Sequence, residues 1–291
     1  MLKLFNEHFG EADFSNENQR SILQLAKTTD TIALIPVPKN ADGNIEHFYH
    51  FVFDLLFPLS LLINKTPSKL IFLLRDFGVL TPVLLKLFGG RVKIHADFDT
   101  ISEKKIVNLV GMNPMYTTIG PRDYRRFKKV IYKKLEFKSV KKPNKIILIE
   151  RLPPSDFYLN DATKKGSGSS RRSIKNHEEL ERTIKSRVAP GFEFHNLKLE
   201  NISFEEQIAY FDSAAVVIAQ HGAGLVNMLW LPKNSIVVEF GFKSKVHFSK
   251  MAAVLKQQHF LFDNNDRHIE VNCAELSTWL IENKATRPFF N

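Results

Sequence analysis

The residues best suited to chemistry gather around one turn. The run Val216-Val217-Ile218-Ala219-Gln220-His221-Gly222-Ala223-Gly224-Leu225 reads as a buried strand ending in a small-residue turn that opens a helix. N–H groups at a helix start lack intrahelical partners and carry partial positive charge, and glycines let an anion come close to them. His221 stands at the strand tip, where an imidazole donates to the same anion. Arg151 follows the apolar run Ile146-Ile147-Leu148-Ile149, and Arg171 and Arg172 close a Gly/Ser-rich loop that begins at Asp161. Guanidinium groups from two neighbouring loops would clamp a pyrophosphate through their forked donors. Glu239 ends the run Ile236-Val237-Val238, where a carboxylate suits the two hydroxyls of a ribose. Plainer readings stay open for each: a tight turn with a capping histidine, solvated loop arginines, and a glutamate paired with a lysine.

A second set lies in the first half. His50 and Asp54 are four residues apart in an apolar stretch, so a helix puts them on one face. An unpaired buried carboxylate is costly, which sends Asp54 toward a cleft or a partner. Together the pair is suited to taking a proton from a hydroxyl, and a structural pair capping a core helix is the alternative. Asp97-Phe98-Asp99, after an expected strand, is a short pattern that can hold Mg²⁺ or Mn²⁺ on a nucleotide diphosphate. There is no Gly-x-x-x-x-Gly-Lys-Ser/Thr loop, no His-Glu-x-x-His and no Gly-x-Ser-x-Gly elbow.

The elements that must carry these residues alternate. Strands are expected at 31–36, 69–74 and 92–96 with helices at 47–63 and 79–87, then a basic helix at 121–135. A second alternation starts at Lys145, with strands at 146–149, 193–197, 215–219, 235–240 and 259–262. The pattern implies an α/β protein with two Rossmann-like domains facing a cleft, 1–140 and 141–291, the last helix being a candidate to pack back on the first domain. Ligands of such sheets bind at the carboxyl ends of the strands.

Composition narrows the class further. In 291 residues, 44% hydrophobic and 25% charged content excludes disorder, collagen and coiled coil as descriptions of the whole chain. The single cysteine, Cys273, excludes an intrachain disulfide framework and a cysteine-clustered metal site, and fits a reducing compartment. The start shows no signal-peptide pattern, and the most apolar segment, 48–63, is shorter than the ~20 residues of a span, so a soluble, cytoplasmic protein is expected. Between Arg122 and Lys145 stand eleven basic residues against two acidic ones, in a chain of formal net charge +10. Such a stripe suits a nucleotide, a membrane surface or a nucleic acid, or is simply a solvated helix face.

In order along the chain, these pieces resemble glycosyltransferase family 61. The run from Phe204 to Glu239, with Ala219-Gln220-His221-Gly222-Ala223-Gly224-Leu225-Val226-Asn227-Met228 inside it, is similar to that family. So are Ile147 to Arg151, the stretch Arg172 to Leu180, and Tyr49-His50-Phe51-Val52-Phe53-Asp54 with Pro58. The resemblance implies an inverting, UDP-sugar-dependent transferase of GT-B-like fold working without a bound metal or other cofactor. Its acceptor would be a hydroxyl of a glycan or glycoprotein, and xylose is favoured over N-acetylglucosamine as the sugar. By position, Arg151, Arg172, His221 and Gly222, with Arg171, Ala223, Gly224 and Asn227, would hold the donor diphosphate; Glu239 would sit near the nucleoside. Asp54, with His50, would serve the acceptor. The sequence departs from the family at Glu150, where a small hydroxyl residue is frequent, and at Ser173, where a second arginine is frequent. The anchor and stem of plant and animal members have no counterpart, as expected of a minimal soluble member from a bacterium or a large DNA virus. The alternatives are a metal-dependent GT-A-type transferase using Asp97 and Asp99, and a non-catalytic binder of glycans or nucleic acid using residues 122–134. No nucleic acid partner is expected, whereas the basic helix is a candidate for peripheral membrane contact.

Overall fold

The computed structural model describes residues 22–38, 44–111, 119–140, 142–159, 168–264 and 266–291. The chain is a mixed α/β protein in two compact units, Met1–Phe137 and Lys138–Asn291.

In the first unit four parallel strands, β1 (Thr31–Val37), β2 (Ile71–Leu74), β3 (Val92–Ile94) and β4 (Ile106–Val110), stand in the order β3-β2-β1-β4. The chain walks outward from β1 to β3, then returns to place β4 on the other edge of β1. The carboxyl ends of β1 and β4 therefore flank a topological switch point, the place where open parallel sheets receive ligands. Gly111, just after β4, donates its N–H to the Val37 carbonyl at 2.8 Å and closes that junction. β4 was not anticipated, because only Val107 and Leu109 of its five residues are buried, which leaves a weak apolar signal. The helical stretch expected at 47–63 spans 48–63 but is not uniform. An α turn, Phe48–His50, runs into a π-helical segment, Phe51–Leu56, and then an α-helix, Phe57–Ile63. Every residue from Phe51 to Ile63 is buried. Phe57 stacks on Phe127 of the basic helix Pro121–Lys134 with centroids 4.4 Å apart.

The second unit holds five parallel strands in the order β10-β9-β8-β5-β7. They are β5 (Lys145–Glu150), β7 (Glu193–Lys198), β8 (Ala214–Gln220), β9 (Ile236–Gly241) and β10 (Gln258–Asp263). A two-residue ribbon pairs β6 (Ser173–Ile174) with β11 (His268–Ile269). β8 is buried at all seven positions, as a central strand covered on both faces must be, and its sequence is apolar from Ala214 to Ala219 for that reason. Helices His177–Arg187 and Cys273–Glu282 supply Leu180, Ile184, Leu276 and Leu280 to the core beneath it. The final helix thus packs into the core of this unit. The helix Phe204–Asp212 starts where Ser203 and Glu206 each bond the other's backbone N–H. From β5 the chain goes to β7 on one side and then crosses to β8 on the other, so the switch point here lies between the ends of β5 and β8. Among the described residues no helix is long and apolar enough to cross a membrane.

Candidate functional site

Arg151 is the first residue beyond β5 and His221 the first beyond β8, so the second unit's switch point brings them together. Nη1 of Arg151 donates to the His221 carbonyl at 3.4 Å and Nη2 to the Gly168 carbonyl at 2.9 Å. Arg172 reaches the same His221 carbonyl through Nη1 at 3.2 Å, with its guanidinium 5.5 Å from the Phe242 ring. The Nε atoms of both arginines are buried without a hydrogen-bond partner. Among the described residues neither guanidinium forms an ion pair, although Glu200 is near enough to favour the charge of Arg151. Burial, and then the charges of Arg171, Arg151 and Arg267, pull the Arg172 guanidinium down to about 10. Burial lowers Arg151 too, and Arg171 adds to that. Both remain cations at neutral pH. Half-buried cations crowded together, with buried Nε donors left unpartnered, are costly to hold in place.

The turn is shaped around them. Gly222 has extended backbone, and a Cβ there would run into Nη1 of Arg151, so the guanidinium occupies the space a side chain would fill. A Cβ on Gly224 would lie 2.8 Å from Cδ1 of Leu199 and 3.6 Å from Cγ2 of Ile149, which makes this second glycine a packing requirement. The helix expected after the turn is a 3₁₀ helix, Ala223–Leu229. Asn227 lies fully buried beneath it. Its amide donates to Oε1 of Gln207 at 2.9 Å and accepts from Nε1 of Trp230 at 3.1 Å, so its polar groups brace the turn from inside.

His221 presents its carbonyl to the arginines, while its ring turns inward. Nδ1 bonds Oε1 of Glu239, and the ring lies edge-on to His247 and Phe248 with centroids 4.9 and 5.3 Å away. Glu239, expected to face a ribose, has no exposed surface. Its other oxygen accepts from Nε2 of His259 at 2.7 Å. Burial alone would raise the Glu239 carboxyl, but the hydrogen bonds from the two histidines outweigh it and hold the group at about 2. Burial lowers His221 and takes His247 down to about 4. At neutral pH the centre is a carboxylate accepting N–H groups from its neighbours. His259 and Arg267 were not singled out in the sequence; His259 is visible only once β10 is paired with β9, which sets it opposite Val237 and within reach of Glu239 two positions on.

The first unit's switch point holds the other pair. Nδ1 of His50 meets Oδ2 of Asp54 at 2.6 Å. The π segment widens the turn, so residues four apart fall more nearly in line than on an α-helix. The Asp54 side chain is 4% exposed and that of His50 19%, which makes His50 the outward member. A Cβ on Gly111 would collide with Oδ1 of Asp54, so the end of β4 is cut to fit that carboxylate. Tyr49 is held far above the ordinary phenol range, by burial first and then by Asp54. Gly111 was beyond sequence reasoning because the strand before it was.

Other expected residues stand apart. Oδ1 of Asp97 accepts the N–H of Asp99 at 2.9 Å and so caps a 3₁₀ turn, Phe98–Thr100. Among the described residues no group of three or more His, Cys, Asp or Glu side chains could hold a metal ion. Arg171 is exposed at the rim of the arginine cluster, and the Gly/Ser loop preceding it, 160–167, lies outside the described residues.

The second unit is a parallel α/β sheet with arginine side chains gathered at its switch point, the position at which such sheets receive ligands. The family model for glycosyltransferase 61 matches residues 48–238, and the chain belongs to that family. The match takes in both switch points, His50 and Asp54 in the first unit and Arg151, Arg172 and His221 in the second. Family membership makes the chain a glycosyltransferase by class, with a sugar donor and an acceptor in general terms. No curated protein matches the chain.

Proposed function

We propose that the chain transfers a sugar, xylose in first place, from a UDP-sugar to a hydroxyl of a glycan or glycoprotein acceptor, with inversion at the anomeric carbon and without a metal. The observation that carries the reading is the pair of half-buried guanidinium groups of Arg151 and Arg172, which meet at the His221 carbonyl and keep their buried Nε atoms without a hydrogen-bond partner. As the bond between the anomeric carbon and the diphosphate oxygen breaks, negative charge grows on the leaving group. Cationic donors already gathered at the switch point would stabilise it, which is the service a divalent cation gives elsewhere. Arg171, exposed at the rim, adds a third cation; Glu239 and His259 act through His221, keeping its ring in place.

The acceptor oxygen bonds to the opposite face of the anomeric carbon, and its proton passes to the His50–Asp54 pair. His50 takes the proton, being the outward member, while Asp54 fixes its tautomer and stabilises the cation that results. In this reading the second unit handles the donor and the first the acceptor, the division of labour of a GT-B enzyme with two Rossmann-like domains.

Calorimetric titration of the whole chain with UDP and UDP-xylose, with and without EDTA, tests it. Binding undiminished by EDTA and reduced at least tenfold in Arg172→Ala supports the reading. Absence of binding to any nucleotide or nucleotide sugar overturns it, and binding abolished by EDTA moves the assignment to a metal-dependent reaction.

A further inference from the structure

The exposed face of the basic helix Pro121–Lys134 takes no part in either switch point, yet its window carries most of the molecule's charge. Eleven basic against two acidic residues between Arg122 and Lys145 nearly equal the formal net charge of +10. Tyr124, Phe127 and Ile131 bury one side of the helix, and Asp123 turns inward to accept the Gly120 N–H at 3.1 Å. On the other side Arg122, Arg125, Arg126, Lys129 and Lys133 are exposed. Each lies three or four residues from another of the five, forming a single stripe roughly 16 Å long at 1.5 Å per residue. Among the described residues none of these five forms an ion pair. Lys65, at the end of the neighbouring helix, is pulled down by burial and then by the charge of Arg126, so the positive field extends past the helix itself.

We propose that this stripe docks the protein on an anionic lipid surface. The inference is independent of the transferase reading. A flat row of basic side chains on an amphipathic helix matches a plane of lipid phosphates and carboxylates. A nucleic acid strand would be held by exposed rings on which bases stack. The one ring on this stripe, Tyr132, is covered by the Lys128 ammonium at 5.1 Å and packed edge-on against Phe137 at 4.8 Å. Adsorption is therefore electrostatic and reversible, with no side chain inserting into the acyl region.

Sedimentation of the whole chain with vesicles of equal parts phosphatidylcholine and phosphatidylserine tests this, with vesicles of phosphatidylcholine alone as the control. Binding to the anionic vesicles only is expected, lost as NaCl rises from about 0.1 M to about 1 M and the Debye length falls from about 10 Å to about 3 Å. Neutralising Arg125→Gln with Lys129→Gln lowers the partition coefficient about 30-fold, and Arg125→Glu with Lys129→Glu lowers it further. Both pairs are exposed, and an unchanged melting temperature verifies that the fold is intact. The proposal is overturned by no sedimentation with anionic vesicles at about 0.1 M salt, by equal sedimentation with both vesicles, or by variants that bind as well as the parent. It is overturned in favour of a nucleic acid site if a single-stranded oligonucleotide displaces the vesicles at the same salt and loses affinity in both variants.

Discussion

The two switch points of this protein hold opposite charges in opposite states. In the first unit the ionisable groups answer each other: His50 and Asp54 are bonded at 2.6 Å, and the carboxylate is enclosed by Gly111 and the widened turn. In the second, two half-buried guanidinium groups lie together with buried, unpartnered Nε atoms and no ion pair among the described residues. A satisfied pair is ready to hand a proton back and forth. A pair of like charges with buried donors left unpartnered carries a cost that an anion would relieve. Under the proposed function the same topological position would serve two kinds of chemistry, decided by which side chains the flanking segments deliver.

That contrast can be broken by direct tests. The largest effect is expected from the double variant Arg151→Ala/Arg172→Ala. Turnover should fall by about 10³-fold or more while the melting temperature holds or rises, because mutual repulsion and desolvation are removed with the charges. A fall in both would mean that the arginines are structural. His50→Gln, which keeps a hydrogen bond to Asp54 but cannot accept a proton, should lower turnover about 10²-fold with UDP affinity unchanged. Retention of activity within a few-fold would remove the proton-transfer role from this pair.

Acid should strike the second unit. His247 titrates at about 4 in the fold, below its ordinary value, so between pH 6.5 and pH 4 the unfolded chain binds the extra proton. Stability is complete above that window and is lost as the pH falls through it, by up to about 3 kcal/mol. Glu239, held down to about 2, keeps its contribution above pH 4.5 and loses it only below that, as the pH falls toward 2. Urea unfolding of the parent and of His247→Phe at pH 7 and pH 4.5 checks the sign: the difference between the two pH values should shrink in the variant. The mildest expected change separates the two glycines. Gly222→Ala should weaken UDP binding about tenfold by displacing Arg151, whereas Gly111→Ala should leave UDP binding intact and lower turnover by disturbing Asp54.

Much of the second site was legible because its parts are punctuation. A strand apolar throughout, glycines at its tip, and an arginine one residue past a neighbouring strand each announce themselves within a few residues. What stayed hidden depends on pairing between distant segments. Glu239 seemed free to meet a ligand until β9 and β10 came side by side and His259 took its second oxygen. Asn227 belonged to the glycine-rich run by position, yet its side chain faces inward to Gln207 and Trp230. In the first unit, the five residues of β4 alternate weakly, so neither the strand nor the glycine that fits Asp54 could be read from local pattern. The four-residue spacing of His50 and Asp54 was visible, but the π-helical turn that aligns them was not.

That π segment also says something about how chain length is tolerated. A helix that gains a residue without moving its ends absorbs it as a widened turn. Removing Leu55 would let the stretch relax to regular α-helix, and everything before it would swing by about 100° around the axis relative to the helix Phe57–Ile63. His50 and Asp54 would rotate off Gly111, carrying Phe51 and Phe53 with them, with no change to their own identity. At this spot a single-codon deletion is a more drastic lesion than most substitutions, and the number of residues between Asp54 and Phe57 is as much a part of the site as the side chains it carries.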